Sequence, residues 1–236
     1  DLHSFPTRRS SDLLVYATLD SQKAFNPNLD AAGMHQGGLG SGVSNINSTA
    51  WGNYNSYNPF VPCGTTNSLG NKTGVVTLNF TEAQAEAYGS EFSTSVPSYR
   101  GIENPFGHIW KWTDGFLAKG MGDEAGYQEV YISRDRSQYA SALNDSYVDV
   151  GHDASANGYV KAILASNASL SQDIRKYGDL IGTDDTGSAS TYFCDYHYTA
   201  HALNTIYGAY VGGNANSGTL DGLPYVYSIY APSYSY

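Results

Sequence analysis

Glycine, asparagine and serine recur too often in this chain to leave room for long helices. Twenty-six glycines are spread over 236 residues, and each glycine inside a helix costs about 1 kcal/mol relative to alanine. Between these breaks stand short runs rich in Val, Ile, Tyr and Phe, which suit a half-buried pleated surface. "GVVTLNF" (74–80), "EVYIS" (129–133), "GYVKAIL" (158–164) and "STYFCDYHYT" (190–199) read as strands. Thr81 opens "TEAQAEAY" with Gln84 placed for a capping box, which predicts a short helix. Residues 14–72 are rich in Gly, Asn and Ser with interspersed aromatics, the text of irregular loops held by aromatic plugs. No linker and no repeat interrupts the rest, so the reading is one α+β domain over 14–236, dominated by loops.

Composition agrees with a folded chain. Hydrophobic residues make up 41% and charged residues 14%, the reverse of a disordered composition. The formal net charge of −10 argues against nucleic acid as a partner, because phosphate contacts need clustered Lys and Arg. It argues equally against docking on an anionic membrane. No apolar run approaches the roughly 20 residues of a membrane span, so membrane insertion is not expected. Cys63 and Cys194 lie far apart. They could pair in an oxidising compartment, but the reading taken is two separate thiols.

The first thirteen residues, "DLHSFPTRRSSDL", have no relation to the text that follows. All of them, from Asp1 to Leu13, resemble one translated frame of a common short-read sequencing adapter. The resemblance implies a gene assembled from environmental reads, with residues 1–13 foreign to the fold and the natural start missing. The charge balance is untouched, since Asp1 and Asp12 offset Arg8 and Arg9.

"YRGIENPFGHIWKWTDGF" (99–116) is the most distinctive segment. Trp110 and Trp112 alternate around Lys111, so on a strand both rings face one side and anchor a loop-rich core. Gly101, Gly107 and Gly115 permit tight turns around them. The segment resembles the "G-N-x-W-E-W" signature of the C-type-lectin-like fold in formylglycine-generating-enzyme relatives, and still more the version found in phage tail and receptor-binding proteins. His108 and Lys111 stand where Asn and Glu are common. The stretch "YGAYVGGNANSGTLDGLPYVYSIYAPSYSY" (207–236) is similar to the C-terminal part of variable proteins of diversity-generating retroelements. Gly212, Gly213, Gly218 and Gly222 fit that pattern's glycines. Tyr207 replaces its usual Arg, and Asp221 its usual Ala. The pattern's closing "I-G-x-R" strand is absent, which implies a fragment lacking its last strand.

That resemblance implies a function. In such retroelements, adenines of a template are copied with errors, and one adenine change turns an Asn codon into Tyr, Ser or Ile. The tail carries Tyr225, Tyr227, Ser228, Ile229, Tyr230, Ser233, Tyr234, Ser235 and Tyr236. Tyrosine and serine also make a good contact surface, because Tyr offers broad amphipathic area at low entropy cost and Ser adaptable hydrogen bonds. The expected binding set is these tyrosines with Ser228, Ser233, Asn214, Asn216, Ser217, Thr219 and Asp221, on a scaffold of Trp110, Trp112 and the glycines. A fixed binding surface and a purely structural tail remain alternatives.

No catalytic set can be nominated. Formylglycine-generating chemistry needs a cysteine pair near the C-terminus, where this chain has Cys194 alone. His197 and His201 stand four apart in strand-like text, so they read as surface or core histidines rather than metal ligands. "HDASANG" and "GTDDTGS" are acidic loops without calcium-loop spacing, although calcium stays open for a lectin-like fold. Asp114, in "TDG", reads as a turn former. The expected protein is therefore a non-enzymatic phage tail or virion-surface binder of a bacterial surface glycan or protein, with a homotrimer or other virion proteins as the expected assembly. A formylglycine-type oxidase, and a structural virion or cell-surface protein with no ligand, are the other readings.

Overall fold

The computed structural model describes residues 63–80, 92–106, 110–154, 157–164, 181–213, 220–222 and 225–234. They fall into two compact units. The smaller draws on Ser21–Trp110 and Gly212–Leu223, and the larger on Lys111–Val211 and Pro224–Tyr236.

In the smaller unit, β1 (Gly74–Phe80), β2 (Phe92–Tyr99) and β3 (Ile102–Glu103) form an antiparallel sheet in that order. The β2–β3 hairpin explains part of the distinctive segment. Tyr99 pairs with Ile102, leaving Arg100 and Gly101 as a two-residue turn with φ of 48° and 83°. Positive φ at both positions matches the right-handed twist of the flanking strands, and glycine adopts it without steric cost. Glu103 then staples the preceding loop. Its carboxylate accepts from the Gly64 amide (2.9 Å), the Thr66 amide (2.6 Å) and the Thr66 hydroxyl (2.8 Å). Partial burial raises its pKa, but these hydrogen bonds outweigh burial and hold it below the usual value.

The larger unit is built on β4 (Lys111–Gly120), β5 (Gln128–Ile132), β6 (Val148–His152), β7 (Gly158–Tyr159), β8 (Ala162–Ile163), β9 (Gly182–Asp184), β10 (Tyr196–Thr199), β11 (Ile206–Val211) and β12 (Val226–Tyr230). Seven strands make one curled sheet in the order β6-β5-β4-β11-β12-β10-β7, and β8 pairs with β9. Among the described strand ladders only β10–β12 is parallel, beside one isolated parallel bridge between Tyr159 and Thr186. One face carries the core: Phe116, Ala118, Val130, Val150, Tyr207, Ala209, Val211 and Val226, with Leu164 and Ile181 packed against them. Each buried Val, Leu, Ile or Phe contributes about 1.5–3 kcal/mol.

Several expectations need correction. Strands account for 44% of the described residues and helical turns for 6%, so the architecture is mostly β and not α+β. Among the described residues the helical elements are two 3-10 turns, Asn67–Leu69 and Arg136–Gln138. The physical reason is the one that opens the sequence: glycine and asparagine cut the chain into strand-length pieces, and pairing between distant pieces satisfies their backbone groups. The helix expected after Thr81 lies outside the described residues. β1 stands where the sequence put it, and β5 lies one residue before the expected 129–133. The 158–164 run is split between β7 and β8, and of 190–199 only Tyr196–Thr199 is strand. Asp114 does not form a turn; it lies inside β4, beside the left-handed Gly115 (φ 77°). No helix among the described residues is long and apolar enough to cross a membrane.

Candidate functional site: an aromatic sheet face and its cavity

Side chains alternate across a strand, so a core residue places its neighbours on the opposite face. Val226 and Ser228 are buried on the core side of β12, and Tyr227 points the other way. On β10, His197 and Thr199 turn inward, while Tyr196 and Tyr198 turn outward. The registers bring the outward rings side by side. Tyr198 pairs with Tyr227, Tyr196 with Tyr159, Tyr210 with Tyr227 and Trp112 with Tyr210.

The result is a connected row of rings across the sheet. From β7 inward, centroid separations are 5.0 Å for Tyr159–Tyr196, 4.7 Å for Tyr196–Tyr198 and 5.1 Å for Tyr198–Tyr227. Tyr210 continues it 6.4 Å from Tyr227, and Trp112 lies 3.9 Å beyond. A branch runs from Tyr227 to Tyr230 (5.8 Å) and on to Tyr234 (4.8 Å), both stacked. The pairing shifts between Gly208 and Tyr210 along the β11–β12 ladder, which lets Tyr230 join the rings of Tyr227 and Tyr210 instead of turning to the core. Such pairs add about 0.5–1.5 kcal/mol each beyond area burial when enclosed. Here the row is partly open: Trp112 is 39% and Tyr234 46% exposed.

A cavity of about 450 Å³ opens beside Trp112. Trp112, Asp114, Arg136, Tyr139, Ser141 and Pro232 contribute to its wall. Burial is the first influence on the Tyr139 phenol and pushes its pKa up, Arg136 pulls it down, and Asp114 pushes it up again. All three residues line the cavity.

The expected binding residues divide. Tyr227 and Tyr230 are half-buried members of the row, and Tyr234 and Ser233 are exposed. Tyr225, by contrast, is only 2% exposed, and Ser228 and Asp221 are buried outright. Ser228 is part of the interior: its hydroxyl donates to Gln128 Oε1 at 2.7 Å. Trp112, expected to be a buried anchor, is instead a surface ring of the aromatic face: the β4–β11 pairing shifts register between Thr113 and Ala118, beside the left-handed Gly115, so Trp112 does not share the core face of Phe116 and Ala118. Trp110 is half-buried in the smaller unit. Gly212 (φ 88°) and Gly213 (φ 72°) fit a scaffold role, since both adopt the left-handed conformation. A Cβ on Gly212 would also come within 3.3 Å of the Pro105 carbonyl oxygen. Gly222 is buried. Gly107, Asn214, Asn216, Ser217, Gly218, Thr219 and Tyr236 lie outside the described residues.

Sequence reasoning passed over Tyr159, Tyr196, Tyr198 and Tyr210. The two-residue spacing of Tyr196 and Tyr198 was a signal that both rings share a face. It also passed over what the two acidic loops hold. Asp153 and Asp185 are drawn inside, where Asp185 Oδ2 lies 3.1 Å from His197 Nδ1, with both side chains almost fully buried. Asp153 accepts from the Gln128 amide at 2.7 Å, and burial pushes its pKa up to about 7 despite the opposing pull of His197. Among the described residues no three of His, Cys, Asp and Glu are grouped to hold a metal ion. Cys63 is exposed, and Cys194 is buried with its thiol 3.7 Å from the Tyr192 carbonyl.

A scan against family models finds no match, and neither does a search of curated proteins or of solved structures.

Proposed function

We propose that this chain is a ligand-binding protein of a phage tail or virion surface, recognising a bacterial surface receptor through the aromatic face of its seven-stranded sheet. The observation that carries the reading is the connected, partly open row from Tyr159 to Tyr234. A tyrosine face wholly inside the protein would only be core, whereas one left open at Trp112, Tyr227, Tyr230 and Tyr234 offers large, rigid, amphipathic contact area. The resemblance of segments 99–116 and 207–236 to phage receptor-binding and retroelement-variable proteins supports the same reading. Action is by contact, without catalysis, and display as a homotrimer or beside other virion proteins would multiply a modest affinity. Diversification, where it acts, would change the ligand through Tyr227, Tyr230, Ser233 and Tyr234. Change at Tyr225 or Ser228 would strain the fold.

The test is capture of bacterial cells by the full chain. Replacing Tyr230 and Tyr234 together by Ala should weaken capture by about tenfold or more, as loss of central aromatic contacts does. Unchanged capture by a folded double variant would reject the aromatic face as the binding surface.

A further inference from the structure

We propose that the cavity beside Trp112 is a subsite for a neutral saccharide, a pyranose ring lying against the indole with its hydroxyls held by Asp114, Arg136 and the Tyr139 phenol. The inference rests on the receptor-binding reading and names the chemistry of the ligand at this end of the aromatic face.

Shape comes first. At about 450 Å³ the cavity sits within the about 300–1,000 Å³ range of small-ligand sites. Two of its apolar surfaces, Trp112 and Pro232, meet at Gly208. A Cβ on Gly208 would approach Trp112 Cζ3 to 2.6 Å and Pro232 Cα to 3.2 Å, so glycine alone lets the indole lie down over β11. Tyr210 supports the indole with its centroid 3.9 Å away. The exposed part of the ring is thus a fixed flat surface, suited to the C–H face of a sugar.

Polarity comes second. The wall also offers a carboxylate (Asp114), a guanidinium (Arg136) and hydroxyls (Tyr139, Ser141), set among further apolar residues such as Phe116 and Leu117. Acceptors, donors and two-way hydroxyls together match vicinal sugar hydroxyls, which both donate and accept. A purely apolar ligand would leave these groups unpaired. A polyanion would meet Asp114 and a chain of net charge −10. A neutral, hydroxyl-rich ring suits both surfaces.

Preorganisation comes third. The wall formed by residues 133–147 is stitched by its own side chains. Asp135 accepts from the Ser137 amide (3.0 Å) and hydroxyl (2.7 Å), and Asn144 Nδ2 donates to the Gln138 carbonyl (2.9 Å). The Ser133 and Ser146 hydroxyls meet at 2.9 Å, and the Tyr147 hydroxyl donates to the Ala140 carbonyl at 3.1 Å. At the floor, Gly115 lets Tyr139 and the Ser133 carbonyl come close, since a Cβ there would lie 2.7 Å from each. A loop already ordered loses little entropy when a ligand arrives.

The experiment titrates the full chain with methyl glycosides of glucose, galactose, mannose and N-acetylglucosamine, and with cellobiose. Saturation-transfer NMR is the readout, alongside the cell-capture assay. Saturable binding of at least one of them at about millimolar concentration is expected. Trp112→Ala should weaken it about tenfold or more, and Arg136→Gln, on an exposed loop that tolerates change, severalfold. Lys72→Gln in the smaller unit should leave it unchanged. If no glycoside binds while cells are still captured through Tyr230 and Tyr234, the saccharide subsite is wrong and the receptor reading stands; binding of a peptide at Trp112 instead would have the same meaning. Saccharide binding indifferent to both Trp112→Ala and Arg136→Gln would also overturn the proposal. Failure of cell capture and saccharide binding together would reject both readings.

Discussion

At the scale of single residues, Asp153 makes the sharpest prediction. Its carboxyl is buried with one oxygen, Oδ2, lacking a hydrogen-bond partner among the described residues. Burial is the main cause that lifts its pKa from 3.8 to about 7; His197 and the Gln128 amide pull down, Asp185 pushes up, and His152 pulls down. A group whose folded pKa is raised binds its proton more tightly when folded. Its contribution is complete below the unfolded value and is lost as pH climbs through about 7. Thermal stability should therefore fall between about pH 4 and pH 8, and Asp153→Asn should flatten that slope. At the alkaline end the substitution should gain up to about 4 kcal/mol, the full linkage of such a shift. Melting temperatures measured across pH decide it: parallel curves for the two proteins would mean that Asp153 ionises normally inside the fold.

Among the elements, the strands are tied together by a residue that alternation alone does not mark as special. Gln128, at the start of β5, is fully buried. Its Nε2 donates to the Ala200 carbonyl at 2.6 Å and the Ser228 carbonyl at 2.7 Å, and its Oε1 accepts from the Ser228 hydroxyl at 2.7 Å. β5 and β12 are separated by β4 and β11 in the sheet order, so this side chain bridges the curl of the sheet rather than a ladder. Gln128→Ala would take a donor from the Ala200 and Ser228 carbonyls and an acceptor from the Ser228 hydroxyl, which keeps the Tyr198 carbonyl at 3.2 Å. The expected loss is about 2–4 kcal/mol, read as a drop of about 5–15 °C in Tm. A loss no larger than that of an average surface substitution would show that the bridge is dispensable. The same network explains why Ser228 contributes to the fold and not to contact.

For the whole molecule, the net charge of −10 sets the long-range field. A bacterial surface is commonly anionic, so approach is opposed at low salt, where the Debye length is about 30 Å, and much less at 0.15 M, where it is about 8 Å. If capture works through aromatic and hydroxyl contacts, as proposed, association with cells should quicken severalfold on raising salt across that range. A rate that falls instead would point to charge attraction, and so to a cationic or metal-bridged receptor. Surface-plasmon association rates on immobilised cells or envelopes provide the measurement.

What the sequence determined by itself is local. The hairpin at Arg100 and Gly101, the strands at 74–80 and 128–132, and the choice of short extended pieces over long helices all follow from φ/ψ preferences and neighbouring side chains. The two-residue spacing of Tyr196 and Tyr198, and of Tyr225 and Tyr227, was likewise legible as a shared face. Which face meets water was not. The tail reads as a free surface because it has no charge and many hydroxyls, yet β12 is seated between β11 and β10 and half of it is interior. The two acidic loops read only as loops without calcium-loop spacing, yet Asp153 and Asp185 converge on His197 from different parts of the chain. The aromatic row needs residues from β4, β7, β10, β11 and β12, and irregularities at 207–210 shift its register. Burial and register are set by partners as far as 100 residues away, as with Gln128 and Ser228. Local propensity carries no information about such partners, and only the tertiary pairing of the strands decides them.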